Sequence, residues 1–185
     1  MRTAALHAGT VALTVLPSPG ILPTMPITLR SAGEADEPFL FQLYSSTRRE
    51  ELAAWNWTDA QMAAFLEMQF RAQRVSYASA YTGAEHSLVL EDGRPIGRLL
   101  VWRGEQEVRL VDIALLPASR GQGIGARLIR QLMEECAVHG RRLTLQVLVT
   151  NPAKRLYQRL GFRRTGGDPM YDQMEWSFQE KEGTA

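Results

Sequence analysis

Cysteine is almost missing from this 185-residue chain: Cys136 stands alone, which excludes an internal disulfide and a cysteine-rich metal site. Histidine is scarce as well. His7, His86 and His139 are far apart and match no metal-ligand spacing, so no metal is expected. Charge of either sign is not in excess. The formal net charge is +1 and no basic run exceeds two residues, so nucleic acid is not expected as a partner. Long apolar runs are missing too. Ala4 to Leu16 is too short to span a bilayer and no other segment could, so no membrane partner is expected. That run has the length of a signal-peptide core. His7 interrupts it, however, Arg2 is the only charge near it, and Leu16-Pro-Ser-Pro-Gly20 is a poor cleavage site. Residues 1–25 therefore read as an irregular extension, residues 26–180 as a single domain, and the chain as cytoplasmic.

One local absence points to chemistry. Between Pro117 and Met133 there is no Asp or Glu, while Arg120, Arg127 and Arg130 are present. A strand-like run, VRLVDIALLP, leads into Arg120-Gly121-Gln122-Gly123-Ile124-Gly125, and an amphipathic helix opens on that loop. The first turns of a helix carry N–H groups without internal partners and a partial positive charge. Glycine lets an anion approach such groups because no Cβ intervenes. The loop is suited to phosphate.

The remaining pattern alternates strands and helices. Ile27–Arg30 reads as a strand and Glu34–Ser46 as a helix. A second helix begins at Thr58, where Thr58-Asp59-Ala60-Gln61 fits a capping box, and is legible through Phe70. Ser87–Leu90 and Pro95–Trp102 form a hairpin around Asp92-Gly93. The strand Glu107–Leu116 precedes the glycine loop, and the helix after it ends at Gly140. Leu143–Val149 is an apolar strand, Ala153–Leu160 a short helix, and two terminal strands lie near Phe162–Thr165 and Asp172–Phe178. An antiparallel meander with one crossover helix is a mixed α/β (α+β) fold.

Three ligand-binding loops compete for the glycines. A nucleotide P-loop needs a lysine and a following hydroxyl, and both are missing. Gly121-x-Gly123-x-x-Ala126 matches a dinucleotide fingerprint formally, but Pro117–Arg120 separates strand from glycines and the next strand ends in Thr150-Asn151 rather than an acid. The third pattern is Arg-x-x-Gly-x-Gly, with Arg120, Gly123 and Gly125. An ordinary turn capped by Ser119 explains neither the missing acids nor the second motif, LTLQVLVTNPAKRLYQRLGF. With both motifs in order, the chain resembles the GNAT superfamily of acetyl-CoA-dependent N-acetyltransferases from Ile27 to Phe178.

The resemblance implies a three-layer domain: a central mixed, mostly antiparallel sheet with a splayed strand pair, flanked by helices. It implies acetyl-CoA as co-substrate, with its pyrophosphate on the backbone of Gly121, Gln122, Gly123, Ile124, Gly125 and Ala126, aided by Arg120 or Arg127. The pantetheine arm would pair with the strand at Ile113–Leu115, between Val111–Leu115 and Leu145–Val149 splayed apart with the help of a bulge in the first. An N–H near Leu115 would stabilise the oxyanion as an amine attacks. Tyr157 is the implied acid for the leaving thiolate, six residues after Asn151 where many members show seven. Asn151 either binds cofactor or caps its helix. The base is open between Glu107, Asp112 and a water chain, because Arg109 stands where many members carry glutamate. In a regular strand Asp112 faces away from Glu107. Trp55, Trp57 and Phe65 are either acceptor wall or helix packing. The acceptor is a small-molecule or peptide amine, and dimers are common in the family, so a homodimer is compatible. The rival function is an acyl-CoA-binding module without turnover.

Overall fold

A computed structural model describes residues 26–52 and 56–178, with the backbone alone for Arg49 to Glu51. The extension at 1–25, Trp55 and the last two residues of the expected domain lie outside the described residues. Among the described residues seven strands form one sheet in the order β1-β2-β3-β4-β5-β7-β6. They are β1 (Ile27–Ser31), β2 (Glu85–Glu91), β3 (Arg94–Arg103), β4 (Glu107–Leu115), β5 (Arg142–Leu148), β6 (Arg163–Gly167) and β7 (Tyr171–Trp176). Every neighbouring pair is antiparallel except β4 and β5. The helices are α1 (Glu37–Leu52), α2 (Asp59–Ala80), α3 (Ile124–Val138) and α4 (Lys154–Arg159).

Local chemistry accounts for most boundaries. Asp92 and Gly93 both adopt positive φ, 48° and 73°, as a two-residue hairpin turn requires to follow the strands' twist. At the start of α2 the Gln61 amide donates to the Thr58 hydroxyl at 3.3 Å, and the Thr58 amide donates to the Gln61 side chain at 3.0 Å. The helix runs ten residues beyond Phe70, the end legible in the sequence. Beyond Phe70 it buries no apolar residue; Gln73 and Tyr77 face inward instead, so hydrophobic periodicity fades there.

The sheet separates two apolar clusters. On one side Ile124, Leu128, Ile129, Leu132 and Cys136 of α3, with Tyr157 of α4, pack on Val108, Leu110, Leu143 and Leu145. On the other, Leu40 and Tyr44 of α1 and Leu66 and Phe70 of α2 pack around Leu88. Cys136 is fully buried in the first cluster, and burial pushes its thiol up to about 11. A thiol-specific reagent is therefore expected to label the native protein at least about 100-fold more slowly than the denatured chain. Prompt labelling of native protein would contradict this packing.

The parallel pair positions the site. Its register runs from Glu107↔Arg142 to Leu110↔Leu145 and stops there, although both strands continue. The register of β3 against β4 shifts at the same level: Leu100 pairs with Asp112 and Val101 with Leu110, leaving Val111 extra. This bulge corrects the expectation for Asp112. A regular strand would turn its side chain away from Glu107, but the extra residue reverses the alternation. Asp112 lies on the α2 side of the sheet, as do Glu107 and Arg109.

Candidate active site

The glycine loop delivers an open helix start. Gly121 and Gly123 have φ of 75° and 78°, a conformation L side chains resist, and a Cβ at either would meet nothing within 4 Å. Here the glycines serve backbone shape, and the space above them is free. Gly123 is the N-cap of α3 and supplies no side-chain cap, and the first turn holds no acid. Ser119 is buried one turn earlier, in a 3-10 turn, and does not cap α3. The contrast with α2, capped on both sides of its first turn, is direct. The amides at the head of α3 lack side-chain caps and carry the helix's positive end. Gln122 folds back to donate to the Ala118 carbonyl at 2.9 Å. Arg120 donates through Nε to the Leu115 carbonyl at 2.9 Å, which ties the loop to the end of β4. Ile113 and Leu115 turn their side chains toward the α3 cluster. Gly125 lies over Ile113, and a Cβ added there would meet only the Ile113 Cδ1, at 3.9 Å. Ala126 follows in the first turn of α3.

The gap beyond Leu110 and Leu145 lies beside this loop. Tyr157, buried on α4, packs edge-on to Phe162 with centroids 5.8 Å apart. Its phenol is pushed up to about 12, first by burial and then by the negative charge of Asp112. The two groups therefore sense each other although one belongs to the α3–α4 side and the other to the α2 side.

Asp112 is held by a residue that no motif in the sequence marks. Arg98, on β3, makes an ion pair with it; the side chains are 7% and 22% exposed. The same guanidinium donates to the Gln73 side chain at 2.8 Å and lies 5.8 Å from the Tyr77 ring centroid. Burial and Asp112 also push Tyr77 up to about 12. His86 on β2 stands nearby, its imidazole lowered by burial and by Arg98. A signal for the pair was present all the same: Arg98 and Asp112 are the lone charges inside two apolar strand cores, IGRLLVW and VDIALL.

The structure does not bring Glu107 to the gap. It sits at the first rung of the closed part of β4–β5, 3.3 Å from Arg142. Asn151 uses its side-chain oxygen to accept from the Ala153 amide at 2.9 Å, an Asx turn just ahead of α4, whose N-cap Ala153 has no side-chain cap. Trp57 packs edge-on against Phe65 at 4.9 Å, at the entrance to α2.

Residues 83–164 match the family model described as an acetyltransferase (GNAT) domain. The matched segment, less than half of the chain, is similar to a GNAT acetyltransferase domain. It holds β2 to α4 and so includes the glycine loop, the bulge, Arg98, Asp112 and Tyr157. A Bacillus subtilis (strain 168) protein named as a candidate ribosomal protein bS18 alanine N-acetyltransferase is 38% identical over 84 residues, covering 44% of this chain. The match spans 56% of that relative's length. The fold is similar to that of PaiA N-acetyltransferase from Thermoplasma acidophilum, solved in complex with coenzyme A. The TM-score is 0.63 at 16% identity, covering 83% of this chain and all of the other. It is also similar to Arabidopsis thaliana Naa50 in complex with the bisubstrate analogue CoA-Ac-MVNAL, with TM-score 0.55, 16% identity, and coverage of 82% and 99%. The mixed sheet flanked by helices is the fold shared with these neighbours. Among the described residues no group of three His, Cys, Asp or Glu is placed to hold a metal, and no helix is long and apolar enough to cross a membrane.

Proposed function

We propose that residues 26–180 act as one N-acetyltransferase unit that moves an acetyl group from acetyl-CoA to a primary amine by direct attack. One observation carries the reading: an uncapped, acid-free helix start opens beside a parallel strand pair that parts after four rungs. The amides from Gly121 to Ala126 fit a diphosphate, with Arg127 adding positive charge. The free edge of β4 at Ile113 fits an extended arm carrying amides, and the tie of Arg120 to the Leu115 carbonyl fixes where that edge ends. Acetyl-CoA, when bound, supplies an acyl group activated as a thioester. The Leu115 amide region would stabilise negative charge on the carbonyl oxygen. Asn151 holds the start of α4, and so the position of Tyr157.

Tyr157 donates the proton to the leaving sulfur. Asp112, rather than Glu107, receives the proton of the attacking amine. An amine nitrogen that has begun to bond to a carbonyl carbon is a far stronger acid than a free ammonium, so a carboxylate held in an ion pair can receive its proton. The acceptor approaches from the α2 side, where Gln146 and Gln173 are exposed on the uncovered part of the sheet. The setting is cytoplasmic, with a peptide or small-molecule amine as acceptor.

Purified protein mixed with acetyl-CoA and a library of primary amines is expected to release free thiol. Saturable acetyl-CoA binding in calorimetry without thiol release from any acceptor would replace this reading by a non-catalytic acyl-CoA-binding module. No binding at all would remove both.

A further inference from the structure

Two arginine–tyrosine stacks lie one helical turn apart along α2. Tyr77 covers Arg98 with the guanidinium carbon 5.8 Å from the ring centroid, and Tyr81 covers Arg109 at 5.7 Å. They differ in one respect. Arg98 is neutralised by Asp112, whereas Arg109 has no ion-pair partner among the described residues. Two acids on neighbouring strand positions pair with Arg142 instead: Glu107 at 3.3 Å and Glu175 at 3.6 Å. Beside Arg109 opens a cavity of about 460 Å³ walled by Ala80, Tyr81, Thr82, Trp102 and Glu107. Thr144, the register partner of Arg109 on β5, holds a buried hydroxyl without a hydrogen-bond partner, outside the lining of this cavity. A guanidinium laid on an aromatic face keeps its edge donors free, in a fork that matches a carboxylate.

Position sets the chemistry further. Arg109 is on the α2 side of the sheet, like Asp112, and one rung before the strands part. The spacing along β4, and the single helical turn between the stacks, put the Arg109 fork roughly 6–10 Å from the place of the reacting amine. The carboxylate of a free α-amino acid lies too close to its own amine to reach both points. Two or three residues of extended peptide span the gap.

We propose that the cavity beside Arg109 is an acceptor subsite, and that the acceptor is a polypeptide N-terminus with an acidic side chain at its third or fourth residue. This rests on the acetyltransferase reading above. Thiol release is measured with the full chain, acetyl-CoA and synthetic peptides of the form Ala-Gly-Xaa-Gly-Gly and Ala-Gly-Gly-Xaa-Gly, Xaa being Glu, Gln or Lys. In at least one frame the Glu peptide is expected to exceed its Gln counterpart in kcat/KM by about 10-fold or more, the effect of one charge-assisted contact. Arg109→Gln is expected to abolish that preference without changing KM for acetyl-CoA, Arg109→Lys to retain part of it, and Arg109→Glu to shift it toward the Lys peptide. Equal rates for Glu and Gln peptides in wild-type protein overturn the proposal and need no variant to fold. Turnover of a small diamine such as putrescine with none of the peptides overturns it too, while leaving the acetyltransferase intact. Failure of acetyl-CoA to bind removes the underlying reading as well.

Discussion

Tyr157→Phe is expected to lower kcat by about 100-fold while leaving KM for acetyl-CoA within about twofold of wild type. The substitution removes one oxygen from a buried ring whose packing on Phe162 is apolar, so the fold has little to lose. What goes is the proton. Burial and the Asp112 charge hold the phenol at about 12, so it stays protonated throughout the range in which the enzyme would work. A thiolate whose conjugate acid has a pKa of about 8.5 leaves more readily when a donor stands beside it, which gives the phenol its value. Wild-type kcat should then show no alkaline limb from this group below pH 10. The sign for stability follows from the same shift. Folded protein holds the Tyr157 proton more tightly than unfolded chain, so its contribution is fully present below pH 10 and declines as pH rises toward about 12. Pre-steady-state thiol release gives the direct measurement. An unchanged kcat at saturating acetyl-CoA and acceptor removes Tyr157 from the chemistry and leaves it as a core residue.

Arg98→Met is expected to cost about 3 kcal/mol or more of folding stability, the range for breaking a buried ion pair from one side. Methionine fills the aliphatic path of the arginine, but it leaves Asp112 with no cation and Gln73 without its donor. A charge that shallow in the sheet can borrow some water, since Asp112 is 22% exposed; this places the cost at the lower end of the range. The double variant Arg98→Met/Asp112→Leu should recover most of the loss, because it removes both charges instead of stranding one. Urea unfolding of the two variants decides it. Equal midpoints for wild type and Arg98→Met would mean that the pair contributes nothing. A double variant no better than the single one would place the loss in the contacts of Arg98 with Tyr77 and Gln73.

The double variant also separates stability from chemistry. With Asp112 gone it is expected to be well folded and inactive. Full activity there would return the search for a base to Glu107 or to water.

Elements with a strong local signal were legible residue by residue. The Thr58–Gln61 box, the Asp92-Gly93 turn and the glycine before α3 act through neighbours in the chain, so their geometry is written in a few adjacent side chains. The apolar face of α3 was equally plain, because five buried residues recur at helical spacing. The second half of α2 was not, because its inward residues are a glutamine and a tyrosine whose partner, Arg98, lies 25 residues away in the case of Gln73. Asp112 stands out in the sequence as an odd carboxylate, but its direction does not. Strand alternation has a period of two, and a single unpaired residue at Val111 inverts it.

The order of the elements, the absence of acids near the glycine loop and the identity of Tyr157 as the phenol after Asn151 are properties of the string of residues alone, for each rests on contacts within a few positions. The parting of β4 from β5 after Leu110, the turn of Asp112 toward α2 and its capture by Arg98 were decided only in three dimensions. Those depend on which strand lies beside which and in what register, and register is set by the packing of whole faces rather than by any neighbouring residue.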